Sequence, residues 1–328
     1  MKNARWILTL LCTWSLINAC NGGSSTLADT LSNDASENVD TTVTPPGVDL
    51  CKLSWTEALP AKGDISDLQS AYTADQWWET ILAVLERAFP FAKAIVADSG
   101  RSQADYWMNQ DPEAKTSFDK LWDFMGTLFH EDIHDYDDRH TGGNSSVYVI
   151  TTEKKVTFGQ EHDFPARAIV AAYTDPDVKS QNPMYKLYFT DEEQTGMTTA
   201  PFTVSLDELN AYTHNELYDF IMTSNYQNVE TTNCGAGLLF WMYITEVWLK
   251  ALRTDYDSDY QYLLGSKTDL EAVLTLWSRA RWVWTTIRDM KGPFTCDYMK
   301  ADKDKLIDLV EKAENLREIE SLRDAYCK

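Results

Sequence analysis

Phe118–His134 reads FDKLWDFMGTLFHEDIH, and its apolar letters decide the fold. Phe118, Leu121, Trp122, Met125, Leu128 and Phe129 recur at steps of three and four. That is the period of a helix with one buried face. Just upstream, Asp111-Pro112 offers an N-cap and a first-turn proline for this helix.

The same reading extends outward. Thr73-Ala74-Asp75-Gln76 reads as a capping box before WWETILAVLERAF, which keeps helical spacing until Pro90. From Ser145 the character changes. SSVYVITT, KKVTFGQ, ARAIVAAYT and MYKLYFT are short, β-branched or aromatic, and separated by turn residues, which predicts three to four strands. After Ser205 helical spacing returns in LDELNAYTHNELYDFIMT, GLLFWMYITEVWLKALR and LEAVLTLWSRARWVWTTIRDM. Thr268 and Glu271 form a capping box for the last of these, and a charged helix is expected from about Ala301. The expected class is α+β, mainly helical, with a small antiparallel sheet inserted over 145–205. Trp241, Trp248, Trp277, Trp282 and Trp284 fall in helices at mixed spacing, so they read as an aromatic core rather than a carbohydrate platform.

Composition narrows the classes. Of 328 residues, 44% are hydrophobic and 24% charged, which excludes a disordered, collagen-like or coiled-coil chain. Asp and Glu total 51 against 29 Lys and Arg, a net charge of -22. Such a chain lacks the basic stripe that neutralises phosphates, so no nucleic-acid partner is expected.

The N-terminus reads as an export signal. Lys2 and Arg5 precede the uncharged run WILTLLCTWSLI (Trp6–Ile17), and Asn18-Ala19-Cys20 closes it. This end resembles the lipobox of bacterial lipoproteins. The resemblance implies removal of residues 1–19, lipidation of Cys20, and anchoring to a bacterial membrane, at the outer membrane or cell surface. Residues 20–47 then form a polar tether rich in Ser, Thr, Asn and Asp, without Lys or Arg. Residues 48–328 are expected to form one globular domain. Four cysteines remain in it, Cys51, Cys234, Cys296 and Cys327. An even, scattered set in an exported chain suggests one or two disulfides. Cys51 and Cys327 lie near the two ends of the domain and can clamp them, but three pairings stay open.

One constellation carries chemistry. Three of the five histidines lie in HEDIHDYDDRH, whose first five letters are His130-Glu131-Asp132-Ile133-His134. Residues i and i+4 stack on one helix face, so two imidazoles can ligate one ion with Zn–N near about 2.0–2.1 Å. Glu131 is rotated to the side of that ion, where it can take a proton from a water. The segment resembles the HExxH zinc metallopeptidases, the zincins. The resemblance implies a zinc ion on His130 and His134, Glu131 as general base, and a peptide or protein substrate. Asp132 and Asp135 are candidates to accept the free N–H of a ligand imidazole.

The resemblance leaves two third ligands. His140 has the spacing of the metzincins, but Asp137 stands where their motif has glycine. Glu208, in SLDELNAY, resembles the glutamate that the second helix of gluzincins supplies. His140 would point about 80° away if the helix continued at 3.6 residues per turn, which favours Glu208. Against it, Ser205-x-x-Glu208 can be a capping box that occupies the carboxylate. Tyr212 shares a helical face with Glu208, so its phenol can stabilise an oxyanion.

Rival readings are weaker. Glu131-x-x-His134 is half a di-iron carboxylate site, but no second such pair occurs. His134-Asp135 is the bare dipeptide of the HD phosphohydrolases, whose helical scaffolds do not suit a strand block. The main alternative is a non-catalytic surface lipoprotein, a binding or assembly module with an incidental motif.

Overall fold

The apolar stripe that begins at Phe118 is buried along one long helix in the computed structural model, which describes residues 47–143, 145–159, 167–190, 200–226, 235–288 and 300–328. The N-terminal elements are β1 (Gly47–Asp49), β2 (Ser54–Thr56), α1 (Ser66–Ala71), α2 (Trp77–Ala88), α3 (Pro90–Ser99), α4 (Arg101–Met108) and α5 (Phe118–His140). The hairpin β3 (Ser145–Val149) and β4 (Lys155–Gly159) follows, then α6 (Arg167–Tyr173), α7 (Pro176–Gln181) and α8 (Pro183–Tyr185). The last elements are α9 (Phe202–Asn225), α10 (Ala236–Asp255), α11 (Asp257–Gly265), α12 (Lys267–Arg288), α13 (Lys300–Val310) and α14 (Ala313–Tyr326). The fold is α+β and mainly helical, with two small antiparallel sheets, β1–β2 and β3–β4. Among the described residues, no helix is long and apolar enough to cross a membrane.

Helix α5 starts six residues later than Asp111-Pro112 suggests. Asp111 caps a local turn through the Glu113 N–H, and Ser117 is the true N-cap, its hydroxyl accepting from the Lys120 N–H. Leu121, Met125, Leu128 and Phe129 are buried on its inner face. Each contributes roughly 1.5–3 kcal/mol by leaving water, enough together to fix the rotation of the helix. Helix α9 packs along α5, and also against α10 and α12. Gly126 makes the α5–α9 approach possible, because a Cβ there would lie 3.0 Å from Asp219 Oδ1 and 3.5 Å from the Tyr218 ring.

The expected strand block is half right. SSVYVITT and KKVTFGQ form β3 and β4, paired from Ser145↔Gly159 to Val149↔Lys155. ARAIVAAYT and MYKLYFT are helical instead. The first gives α6, in keeping with its alanines. The second is entered by Pro183 at a helix start, with Asn182 capping the Tyr185 N–H, and continues as a π-helical turn, Lys186–Thr190. Met184, Tyr185, Tyr188 and Phe189 are all buried. Their i, i+1, i+4, i+5 pattern is helical, and the aromatic content hid it.

Other boundaries also moved. Thr73 precedes a 3₁₀ turn, Ala74–Gln76, and makes no side-chain capping bond. Thr268 lies inside α12, where Ser266 accepts from the Asp269 N–H. The expected C-terminal helix is two helices, α13 and α14. The aromatic core holds: Trp241, Trp248 and Trp277 are fully buried. Cys51 and Cys327 form a disulfide across 276 residues of chain. Cys20, the signal and the tether up to residue 46, Cys234 and Cys296 lie outside the described residues.

Candidate metal centre

Two helices build the site. α5 supplies His130, Glu131 and His134, and α9 supplies Asp207, Glu208 and Tyr212. Helix α9 begins at Phe202, after Pro201, so Ser205 sits a turn inside the helix rather than at its cap. The capping-box reading of Ser205 and Glu208 therefore fails, and the Glu208 side chain turns inward, 2% exposed.

His130, His134 and Glu208 each offer one ligating atom, all within 4.8 Å of one another. The two Nε2 atoms are 3.2 Å apart, and Glu208 Oε2 lies 4.0 Å from His130 Nε2 and 3.8 Å from His134 Nε2. Ligands at zinc distances in a tetrahedron are about 3.3–3.4 Å apart. The trio thus needs a contraction of only about half an ångström at Glu208 to meet one ion. Two imidazoles and a carboxylate are also a donor set that suits zinc and neighbouring transition metals.

The electrostatics point the same way. Burial, then the nearby His134, hold His130 well below the usual histidine value, so it is neutral and able to ligate. Burial alone would lower His134, but Asp207, Glu208 and Glu131 outweigh it and push it up to about 10. Glu131 is buried and raised to about 7, chiefly by desolvation. Glu131, Asp207 and Glu208 therefore surround one imidazole that can carry charge, and a cation restores the balance.

Phenols close one side. The Tyr212 ring stands edge-on to the His130 ring, with centroids 4.6 Å apart. Tyr188 Oη donates toward Glu208 Oε2 at 3.3 Å and lies 3.2 Å from Tyr212 Oη. Burial raises both phenols well above their usual value, so they stay protonated as donors. Tyr188 was missed in the sequence because its segment read as a strand.

The remaining candidates lie elsewhere. His140 is at the exposed end of α5, stacked on Tyr136 and donating from Nδ1 to the Tyr136 carbonyl at 2.8 Å. The helix runs unbroken through Asp137, so nothing bends His140 back. Asp135 pairs with Arg139 at 2.8 Å. Asp132 is fully buried beside Ser99, its carboxyl pushed well above the usual range by burial. Neither aspartate meets a ligand imidazole; Asp207 does, with Oδ2 at 2.7 Å from His134 Nδ1.

Comparison with protein-family models, with curated proteins and with solved structures finds no match to this chain. The His130–His134–Glu208 cluster is compatible with a bound metal ion on its own geometry.

Proposed function

We propose that this protein is a zinc-dependent peptidase, with His130, His134 and Glu208 as metal ligands. The observation that carries the reading is the convergence of these three side chains from two helices. A three-ligand set leaves a coordination position open, as catalytic zinc sites do and closed structural sites do not. Bound there, zinc lowers the pKa of water toward neutrality and polarises a carbonyl.

The chain's own groups do the rest. Glu131, with a carboxyl near 7, is poised to accept the proton of the attacking water and to return it to the leaving amine. Tyr212 keeps its proton and donates it as a hydrogen bond to the developing oxyanion. Tyr188 holds Tyr212 and Glu208 in register. Export as a lipoprotein anchored through Cys20 belongs to the same proposal. The Cys51–Cys327 disulfide supports it, because such bonds persist in oxidising compartments.

The non-catalytic module keeps one observation in its favour: His130 is 8% exposed and Glu208 2%, a closed setting for turnover. Metal analysis of the purified protein beside His134→Ala, with a peptide-library assay, separates the readings. The peptidase requires near one zinc per chain, lost in the variant, and cleavage that follows the zinc. Bound zinc without cleavage of any peptide supports the module. Loss of detergent-phase partitioning in Cys20→Ser tests the anchor, which fails if the wild type already partitions as soluble.

A further inference from the structure

Consecutive residues of one helix face the two ring nitrogens of His134. Glu208 Oε2 is 3.8 Å from Nε2, and Asp207 Oδ2 is 2.7 Å from Nδ1. Neighbouring residues on a helix point about 100° apart, so one turn of α9 can reach around both edges of a ring presented by α5. His130 has a different support, a bond to the backbone of Ala211. Asp207 has little else to do. Its other oxygen, Oδ1, is shielded from water and has no hydrogen-bond partner among the described residues. Of the aspartates nearer in sequence, Asp135 is engaged by Arg139, and Asp132 is buried with neither carboxyl oxygen hydrogen-bonded among the described residues, so it reaches no imidazole.

We propose that Asp207 is a positioning residue for the metal: by accepting the Nδ1–H of His134 it fixes the tautomer and ring plane that aim Nε2 at the point shared with His130 and Glu208. This rests on the metal reading above. A carboxylate in this role orients the ring and raises its donor strength, and losing one typically costs about 10–100-fold in metal affinity. Because Asp207 and Glu208 are adjacent, any shift of α9 along α5 moves the third ligand and the orienting group together.

The test compares zinc affinity, by chelator competition, in wild type, Asp207→Ala, Asp207→Asn and Asp135→Ala. Asp207→Ala should bind zinc about 10–100-fold more weakly. Asp207→Asn keeps an acceptor oxygen in the same place, so it should recover part of the loss. Asp135→Ala should bind as wild type. The second readout needs no metal: the ring ¹⁵N and imidazole N–H resonances of His134 in the metal-free protein. Wild type and Asp207→Asn should show a protected Nδ1–H that Asp207→Ala lacks. Unchanged affinity in Asp207→Ala overturns the proposal, and so does a wild-type His134 without that protected proton. A wild type that takes up no zinc, yet shows the proton, sinks the metal reading and leaves the orienting bond standing.

Discussion

Two buried histidine clusters share α9, and they differ in what their ring nitrogens face. At His214, Nε2 lies 3.0 Å from the Val149 carbonyl, and Arg279 Nη1 sits beside the ring, 3.2 Å from Nδ1 and 3.0 Å from Nε2. A carbonyl only accepts, so the ring carries its proton on Nε2 and leaves Nδ1 to accept from Arg279. Arg279, 1% exposed on its side chain, is paired in turn with Glu57 at 3.0 Å. Burial and then Arg279 hold His214 well below its usual value, and it stays neutral. Charge and hydrogen bonds close within the chain. At His130 and His134 the two Nε2 atoms face each other, with three carboxylates gathered around them. The three ligating atoms of that region converge on one point, as a metal ion needs. A buried histidine is therefore no marker of a site; the direction of its unshared nitrogen is.

The largest expected effect sharpens this contrast at the open cluster. Glu131→Gln should keep zinc but lower peptide turnover by about 10²–10⁴-fold, measured on zinc-loaded protein. Equal turnover would remove Glu131 from the chemistry. At the closed cluster the effect should be on stability alone. Arg279→Ala strands Glu57 and His214, and should cost about 3–5 kcal/mol in urea unfolding while the folded fraction keeps its zinc. Zinc lost from folded Arg279→Ala would break the comparison, since the two regions would then be one network.

Cys327→Ser acts on neither cluster. Opening so long a loop should lower stability by about 2–5 kcal/mol, again read by unfolding, with zinc content unchanged. The smallest effect is in protons. His134 is held at about 10 without metal, so below that value it is protonated and zinc must displace a proton. Calorimetry in buffers of different ionisation enthalpy should show release of about one proton near neutral pH, and affinity should rise with pH toward that value. Buffer-independent heats would show that His134 is already neutral, and would blur the distinction from His214.

What was legible in the sequence was short-range. The α5 stripe could be read because Leu121, Met125, Leu128 and Phe129 repeat the helical period through a run without Gly or Pro breaks at its centre other than Gly126. His130 and His134 followed from the i, i+4 rule, and Glu208 from its resemblance. The pairing of Asp207 with His134 could not be read, because the two are 73 residues apart and no local rule couples them. The His214 network hid for the same reason, with 65 residues between His214 and Arg279 and 222 between Glu57 and Arg279. MYKLYFT failed differently: β-branched and aromatic letters outweighed a helical spacing only two turns long.

The Cys51–Cys327 bond has a consequence for wear. It turns nearly the whole described chain into a covalent ring. Surface loops are where proteases nick a domain. A single cut inside a ring frees no fragment, and the two new ends stay at the high local concentration that a tether enforces. After one such cut, this molecule would migrate as one nicked band with its bond intact and as two pieces only after reduction.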